Sequence, residues 1–266
     1  MKVAVCLFGH VGSYTGSIVD PNFKDRIDLK IAFNNYTKKI FRNYDTDIFI
    51  HSWSYEEKDF FIEKYKPKKF IFEKQINFSN ITIDSYSFYK NRPFDDGTDI
   101  HNVENFDETN LTIYQSQSRW YSNTSSLRLM SEYAMENNVK YDWVIQCRLD
   151  LNFFTKIDLK KLDSNIFYHP VRPNEANIAI NEFFFISNFD YAKKFIQIKD
   201  NLFNFSIRPP VAAKQFLNLN KINHKGYLEY GVDFYLIREY LYEQKLKNKY
   251  LIRIKLLIKK IIRLFK

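Results

Sequence analysis

Charged residues that suit phosphate chemistry follow the most apolar stretch in the middle of the chain. Arg148 and Asp150 come directly after residues 141–147, which are predicted to form a buried strand. A carboxylate at the end of a buried strand is unfavourable unless a cation or a fixed partner neutralises it. A Mg²⁺ or Mn²⁺ ion that bridges a diphosphate is one suitable partner for Asp150, because hard carboxylate oxygens favour these ions. The alternative is an Arg148–Asp150 ion pair that closes the end of the strand.

Two further polar clusters end predicted strands. Residues 9–13 follow the apolar run 3–8 and contain two glycines, and residues 51–53 follow the second predicted strand. His10 and the backbone amides of residues 9–13 are candidates for holding a nucleotide, and an ordinary turn is the alternative. Trp53 either stacks on a nucleotide base or fills the edge of the core.

A helix predicted between about residues 115 and 138 leads toward the strand that ends at Asp150. Gln117, Tyr121 and Ser125 lie on one face of this helix, because residues four apart share a face. They either line a ligand pocket or form an ordinary helix face. The predicted substrate-binding residues are therefore Phe8, Gly9, His10, Gly12, Ser52, Trp53, Gln117, Arg148 and Asp150.

Two carboxylates are candidates for a catalytic base that accepts a proton from an attacking hydroxyl. Glu182 begins a strongly apolar strand, where its carboxylate must face either solvent or a cleft. Asp233 follows a turn that contains a glycine, and its alternative role is to stabilise the N-terminus of a helix.

The order of the predicted elements indicates how these residues are positioned. Strands and helices alternate along the first part of the chain, which favours a mostly parallel sheet with helices on both faces. Ligands bind such sheets at the carboxyl ends of the strands, where all three polar clusters lie. The sequence has neither GxGxxG nor GK[ST], which disfavours a Rossmann dehydrogenase and a P-loop ATPase. Other predicted elements are strands at 48–50, 69–72, 165–169 and 182–187, helices at 29–42, 56–64, 189–199 and 231–244, and a polar excursion at 77–112.

Composition favours one large domain. The chain has 266 residues, of which 45% are hydrophobic, and this is sufficient for a sizeable α/β core. Cys6 and Cys147 each lie within an apolar run, which predicts reduced thiols packed in the core. The N-terminus has no signal-peptide pattern, and no apolar run is long enough to span a bilayer. The sequence therefore predicts a cytoplasmic protein.

The net positive charge is concentrated in the last residues. The formal charge is +9, and residues 245–266 contain nine Lys or Arg and no acid. The remainder is formally neutral, which argues against a nucleic-acid-binding surface. A helix over residues 251–266 would separate apolar from basic side chains, a pattern typical of helices that lie on anionic membranes. Packing of its apolar side on the domain is the alternative.

Four blocks of the chain carry a resemblance to a known family. They are the glycine-bearing turn after the first strand, Asp47-Ile48-Phe49-Ile50-His51-Ser52-Trp53, Tyr141-Asp142-Trp143-Val144-Ile145 with the following Arg148 and Asp150, and Asn181-Glu182-Phe183-Phe184-Phe185-Ile186-Ser187. Together they resemble bacterial GT-A glycosyltransferases of capsule, lipooligosaccharide and O-antigen clusters, and the similarity extends over roughly residues 1–240.

In that family a DxD motif holds a metal ion and the phosphates of a sugar nucleotide. Here Arg148 stands at the first acidic position and only Asp150 is kept, so Arg148 could itself neutralise a phosphate.

The resemblance implies a GT-A-like three-layer α/β/α domain over residues 1–244, with residues 245–266 forming a basic amphipathic helix. The implied reaction moves a sugar from a nucleotide-diphosphate donor to a hydroxyl of a bacterial surface polysaccharide or lipooligosaccharide, with Mn²⁺ or Mg²⁺ at Asp150. The alternatives are a transferase of a phosphate-containing, non-sugar group and a non-catalytic scaffold at the membrane. The expected partners are the nucleotide-sugar donor, a glycan or lipid-linked glycan acceptor, and an anionic inner-membrane surface that binds residues 251–266. Nucleic acid is not an expected partner.

Overall fold

A mostly parallel sheet forms the centre of the computed structural model, which describes residues 1–11, 27–78, 106–171, 179–206 and 208–240. The strands, in chain order, are β1 (Lys2–Gly9), β2 (Asp45–Ser52), β3 (Lys69–Phe72), β4 (Trp143–Arg148), β5 (Leu151–Phe153), β6 (Phe167–Val171), β7 (Phe184–Ser187), β8 (His224–Glu229) and β9 (Phe234–Leu236). Seven of them form one sheet in the order β3-β2-β1-β4-β7-β6-β8, and only β7 runs antiparallel to its neighbours. The short strands β5 and β9 pair separately.

Helices cover both faces of the sheet, because the buried residues of each central strand alternate between the two faces. Val3, Val5 and Leu7 of β1 belong to a core shared with the first two helices, whereas Ala4 and Cys6 belong to a second core on the opposite face. The helices are α1 (Leu29–Lys39) and α2 (Lys58–Tyr65) on the first face, and α3 (Phe106–Glu136), α4 (Phe189–Phe195), α5 (Gln197–Asp200) and α6 (Pro209–Leu219) on the second. The predicted three-layer α/β/α fold is therefore confirmed. Both cysteines are buried and free, as predicted.

Several elements differ from the sequence prediction. The helix predicted at 231–244 is wrong at its start, because Gly231 adopts a positive φ of 84° in a turn and β9 then pairs with β5. The long helix α3 begins at Phe106, well before the predicted start near residue 115. Helix α6 and strand β8 were not predicted.

Parts of the predicted organisation lie outside the described residues. These parts are residues 79–105 of the polar excursion and the whole basic segment 245–266, so the domain boundary at 244 stays a prediction. Among the residues that are described, no helix has both the length and the apolar character needed to cross a bilayer.

Candidate functional site

The strand order creates a crevice between β1 and β4. From β1 the chain builds outward through β2 and β3 on one side, and then returns to place β4 on the other side. Ligands of open α/β sheets bind outside the carboxyl ends of the strands at such a reversal point. Phe8, near the end of β1, is in register with His51 of β2 and with Arg148 of β4. Three predicted polar clusters therefore meet at this edge, which we call the switch-point edge.

Arg148 and Asp150 form a closed pair at this edge. The Arg148 Nε donates to Asp150 Oδ1 at 2.8 Å, and its Nη2 donates to Oδ2 at 2.7 Å. Asp150 is only 2% exposed, so the paired guanidinium is what makes this buried charge tolerable. Burial lowers the pKa of Arg148, but the charge and hydrogen bonds of Asp150 outweigh burial and raise it. The sequence allowed either a metal ion at Asp150 or an ion pair with Arg148, and the structure contains the ion pair.

This pairing bears directly on the predicted metal site. Both Asp150 oxygens already accept hydrogen bonds from Arg148. Within the described ranges, no group of three or more His, Cys, Asp or Glu side chains is close enough to hold a metal ion. Asp150 is thus neutralised by Arg148, and a Mn²⁺ or Mg²⁺ ion beside it would need most of its oxygen ligands from water and substrate phosphates. A metal at Asp150 stays an untested prediction, and no step of the mechanism depends on it.

Arg119 of α3 supplies a second guanidinium at the same edge, one that the sequence analysis missed. Its guanidinium carbon lies 4.1 Å from the centre of the Phe8 ring, and its Nη2 donates to the backbone carbonyl of Glu182. Its Nε and Nη1 are buried and have no hydrogen-bond partner among the described residues. Burial lowers the pKa of Arg119 to about 9, so the group remains a cation at neutral pH. A cation with unused donors at this position favours an anionic ligand.

Glu182 belongs to the same charge cluster. It precedes β7, and the backbone N–H of Arg148 donates to the carbonyl of the following residue, Phe183, at 3.2 Å. The Glu182 carboxylate lies close enough to both guanidinium groups to favour their charged forms: it opposes the burial that lowers the pKa of Arg119, and it adds to the raised pKa of Arg148. The switch-point edge therefore combines two cations with two carboxylates.

Two amides of the glycine turn are used within the protein, and residues 12 and 13 of the turn lie outside the described residues. The Gly9 N–H donates to the Ser122 hydroxyl at 2.8 Å, and the Val11 N–H donates to the Ser54 hydroxyl at 2.9 Å. Gly9 has a φ of +97°, a conformation that glycine adopts without strain. Ser52 also has a structural role, since its hydroxyl donates to the Gly9 carbonyl at 2.8 Å. These contacts fix the shape of the turn, and they leave neither amide free for a phosphate.

Three other predicted binding residues are packed against protein. Phe8 is buried beneath Arg119. Trp53 is 5% exposed and stacks on Tyr121 with ring centroids 5.3 Å apart, so it fills the core edge and presents no open face to a base. Gln117 is also buried. Gly12, the remaining predicted binding residue, lies outside the described residues.

His10 keeps its predicted place at the crevice. It follows Gly9 at the end of β1, is partly exposed, and its Nε2 lies 3.1 Å from Oε1 of Gln75. Burial lowers the pKa of His10, the negative charge of Asp150 opposes this, and the positive charge of Arg148 adds to it. His10 is therefore a neutral imidazole at neutral pH.

A chain of hydrogen bonds from Glu73 through His51 to Ser122 supports the glycine turn. The His51 Nδ1 lies 2.8 Å from the Ser122 hydroxyl, and its Nε2 lies 2.9 Å from Oε1 of Glu73. Burial lowers the pKa of His51, although its hydrogen bond to Glu73 opposes the shift. Ser122 is 1% exposed and already accepts the Gly9 N–H, so this arrangement positions the turn and has no accessible nucleophile.

Asp233 is not brought to the switch-point edge. It is 3% exposed, its Oδ1 accepts from the Thr155 hydroxyl at 2.6 Å, and its Oδ2 accepts from the Glu229 N–H at 2.9 Å. Its backbone carbonyl accepts the N–H of Phe154, four residues beyond Asp150. At about 3.3 Å per residue along a strand, this places Asp233 roughly 13 Å from Asp150. Its contacts support a structural role in the turn before β9.

A small recess lies next to Asp150 on the face covered by α1 and α2, with room for little more than one water molecule. Its walls are mainly apolar, and the buried hydroxyl of Tyr65 has no hydrogen-bond partner among the described residues. The lining residues are Val11, Ile27, Asp28, Leu29, Ala32, Phe61, Tyr65, Leu149, Asp150 and Ile237.

Comparisons with known proteins give only a weak structural likeness. No protein-family model and no curated protein matches the chain. One similar solved structure is a glycosyltransferase involved in the glycosylation of the major capsid of PBCV-1, at 9% identity and a TM-score of 0.39, with 86% of this chain and 83% of that chain covered. Another is mouse xyloside xylosyltransferase 1 in its apo form, at 9% identity and a TM-score of 0.35, with 85% of each chain covered. TM-scores below 0.5 are too low to carry an argument about function.

Proposed function

We propose that this protein is a glycosyltransferase that uses a nucleotide-diphosphate sugar. One observation carries the proposal: the Arg119 guanidinium lies in a charge cluster at the switch point of an α/β sheet, with two buried donors that no described residue uses. An anionic leaving group is what such donors stabilise, and stabilisation of developing charge is usually the largest contribution to catalysis.

The arginines replace a metal ion in this proposal. Arg148 already neutralises Asp150, so Arg119 is the cation with donors left for the diphosphate. In this arrangement the positive charge at the diphosphate comes from guanidinium groups of the protein. We therefore expect activity to persist in EDTA, and a strict requirement for Mn²⁺ or Mg²⁺ would contradict this point.

A donor panel tests the proposal. The protein is incubated with UDP-, GDP- and CMP-sugars, and release of the nucleotide is measured with and without EDTA. Release from at least one nucleotide-diphosphate sugar is expected. No release from any donor would contradict glycosyl transfer and leave the transferase of a phosphate-containing group and the non-catalytic scaffold as alternatives.

Two matched variants connect the activity to the site. Arg119→Met removes the guanidinium at the switch-point edge, and Arg128→Met removes a guanidinium of the same helix that pairs with Asp200 on the surface. Loss of one donor to a developing charge costs roughly 100-fold or more in kcat. Arg119→Met should show such a loss, while Arg128→Met should keep normal activity. Equal activity of the two variants would remove Arg119 from the mechanism.

The acceptor and the membrane remain part of the proposal on sequence grounds. The proposed acceptor is a hydroxyl of a bacterial surface glycan or lipid-linked glycan, and residues 251–266 would hold the enzyme at the anionic inner-membrane surface. Deletion of residues 251–266 should release the protein from anionic vesicles in a sedimentation assay and leave a folded domain. Unfolding or aggregation of the truncated protein would show that the segment packs on the domain instead.

A further inference from the structure

His10 brings to the switch-point edge a nitrogen that no described residue uses. Its Nε2 contacts Gln75 at 3.1 Å, whereas its Nδ1 has no hydrogen-bond partner among the described residues. The residue is partly exposed at the end of β1. An unpaired imidazole nitrogen on a partly exposed residue at a binding crevice is suited to proton transfer.

The contacts of Gln75 determine which His10 nitrogen carries the proton. The Gln75 amide nitrogen donates to the Ile76 carbonyl at 3.3 Å, so its oxygen is the atom turned toward His10. That oxygen also accepts from the Ser118 hydroxyl at 3.1 Å. An amide oxygen can only accept, so the His10 Nε2 must carry the hydrogen. The neutral imidazole therefore has its lone pair on Nδ1.

The charges around His10 are consistent with a neutral ring. Asp150 favours the protonated ring, while Arg148 and His51 disfavour it, and burial has the largest effect and lowers the pKa. Gln75 and Ser118, from the segment after β3 and from α3, are uncharged. A base must be unprotonated before it can act, and His10 meets this condition at neutral pH.

We propose that His10 is the general base that activates the acceptor hydroxyl, with Gln75 as the residue that positions it. This inference rests on the proposed glycosyl transfer. The hydroxyl proton moves to Nδ1 while the acceptor oxygen forms a bond to the anomeric carbon. The bond from that carbon to the diphosphate breaks, and its electron pair leaves on the diphosphate oxygen, near Arg119. The imidazolium then loses the proton to water. Such a single displacement inverts the anomeric configuration.

The two carboxylates predicted as bases differ in how well they suit this role. Both Asp233 oxygens are hydrogen-bonded in a buried turn away from the edge. Glu182 is partly exposed and lies near the guanidinium groups of Arg119 and Arg148. It is therefore the rival base, and the Glu182→Gln variant separates it from His10.

The tautomer can be measured without any substrate. Nuclear magnetic resonance of the full chain labelled with ¹⁵N-histidine, with His10→Gln for assignment, distinguishes a protonated Nε2 from a protonated Nδ1. We expect His10 to carry its proton on Nε2, and Gln75→Leu to lose this strict preference. A His10 ring that is protonated on Nδ1 would overturn the proposal even if the protein transfers sugar.

The catalytic role is tested with whichever donor the panel identifies. His10→Gln should lower kcat by about 10²–10⁴-fold with little change in donor KM, and should abolish the rise of kcat/KM with pH below about 6.5. Gln75→Glu should move this rise to higher pH, because a carboxylate favours the imidazolium; a merely structural glutamine would not move it. His169→Gln is the control and should leave the pH profile unchanged.

Three outcomes separate the proposals. If Glu182→Gln lost the rise of kcat/KM with pH while His10→Gln kept it, the base would be Glu182, and this inference would be overturned. Retention of the anomeric configuration in the product would also overturn it, because a single displacement inverts. Absence of turnover with every donor would instead refute the proposed glycosyl transfer, and the base assignment would fall with it.

Discussion

Two pairs of histidines lie in different parts of the sheet, and both pairs have lowered pKa values. His10 and His51 lie at the switch-point edge, whereas His169 of β6 and His224 of β8 lie at the far side of the sheet. In all four, burial is the largest cause of the shift. A lowered histidine pKa therefore does not identify a functional site in this protein.

The partners of the rings distinguish the two regions. His169 bonds the Pro170 carbonyl and His224 at 2.9 and 3.2 Å, and the other nitrogen of His224 lies 3.3 Å from Asn218. All four nitrogens of that pair are thus used within the protein. His10 has one nitrogen that no described residue uses, and charges of both signs lie nearby. Accessible atoms and nearby charges, more than the pKa itself, indicate where ligands bind.

The largest effect expected at the switch-point edge concerns its buried ion pair. Arg148→Ala would leave Asp150, which is 2% exposed, without its cation. Removing one partner of a buried pair costs about 3–5 kcal/mol, because the other charge stays buried. The surface pair of Arg128 and Asp200 is the control, and exposed pairs contribute only about 0–1 kcal/mol. Urea unfolding of Arg148→Ala and Arg128→Ala measures the loss in free energy of unfolding that each substitution causes. Equal losses in the two variants would show that the switch-point edge is solvated like ordinary surface.

The central strands were predictable because their signal is local. β1, β2 and β4 are apolar runs buried on both faces, and such runs are visible in the sequence itself. β8 is mostly polar because it lies at the sheet edge, and the three-residue strand β9 is stabilised by its pairing with β5. Neither strand has a recognisable pattern in the sequence, so β8 was not predicted and a helix was predicted where β9 lies.

A second prediction compares two tyrosines with the same bonding pattern. The Tyr36 hydroxyl donates to the Arg148 carbonyl and accepts the Leu151 N–H, so it holds the backbone on both sides of Asp150. The Tyr44 hydroxyl likewise donates to the Ile157 carbonyl and accepts the Leu159 N–H, away from the edge. Replacement by Phe leaves two backbone groups unpaired, at about 1–3 kcal/mol for a buried group.

Both tyrosine variants should therefore lose stability, by about 2 kcal/mol for the fully buried Tyr36 and less for Tyr44. Only Tyr36→Phe should also reduce donor turnover, because only Tyr36 fixes the backbone at Asp150. Urea unfolding and the donor assay test the two expectations. If Tyr44→Phe also reduced turnover, turnover would follow the stability of the whole domain. The backbone at Asp150 would then have no particular role in activity.

The candidate site was predictable only where it follows strand ends. His10, Arg148 and Asp150 were found because the carboxyl ends of parallel strands meet at one edge. Arg119 lies within a long helix among other polar residues, and Gln75 lies in a polar stretch after β3. Their roles depend on which helix face meets Phe8 and on how the chain folds back to His10. These are tertiary relations that spacing in the sequence does not express.

The smallest effect is expected at the β6–β8 edge and concerns pH. The pKa of His169 is lowered to about 4 in the folded protein, against about 6.5 in the unfolded chain. As pH falls from about 6.5 to about 4, the unfolded chain binds a proton that the folded protein does not, so stability is lost over this range. Because the ring is partly exposed, we expect a loss of roughly 1–2 kcal/mol, less than the full shift implies.

His169→Gln should reduce this loss, since the substituted side chain does not titrate, although His224 beside it still does. Urea unfolding between about pH 7 and pH 4 measures the difference from the parent protein. Turnover of the donor should stay normal in this variant, because its ring nitrogens bond only within the protein. If His169→Gln instead lost turnover and kept the pH dependence of stability, the β6–β8 edge would be the functional one. The His10 nitrogen that no described residue uses would then no longer distinguish the two regions.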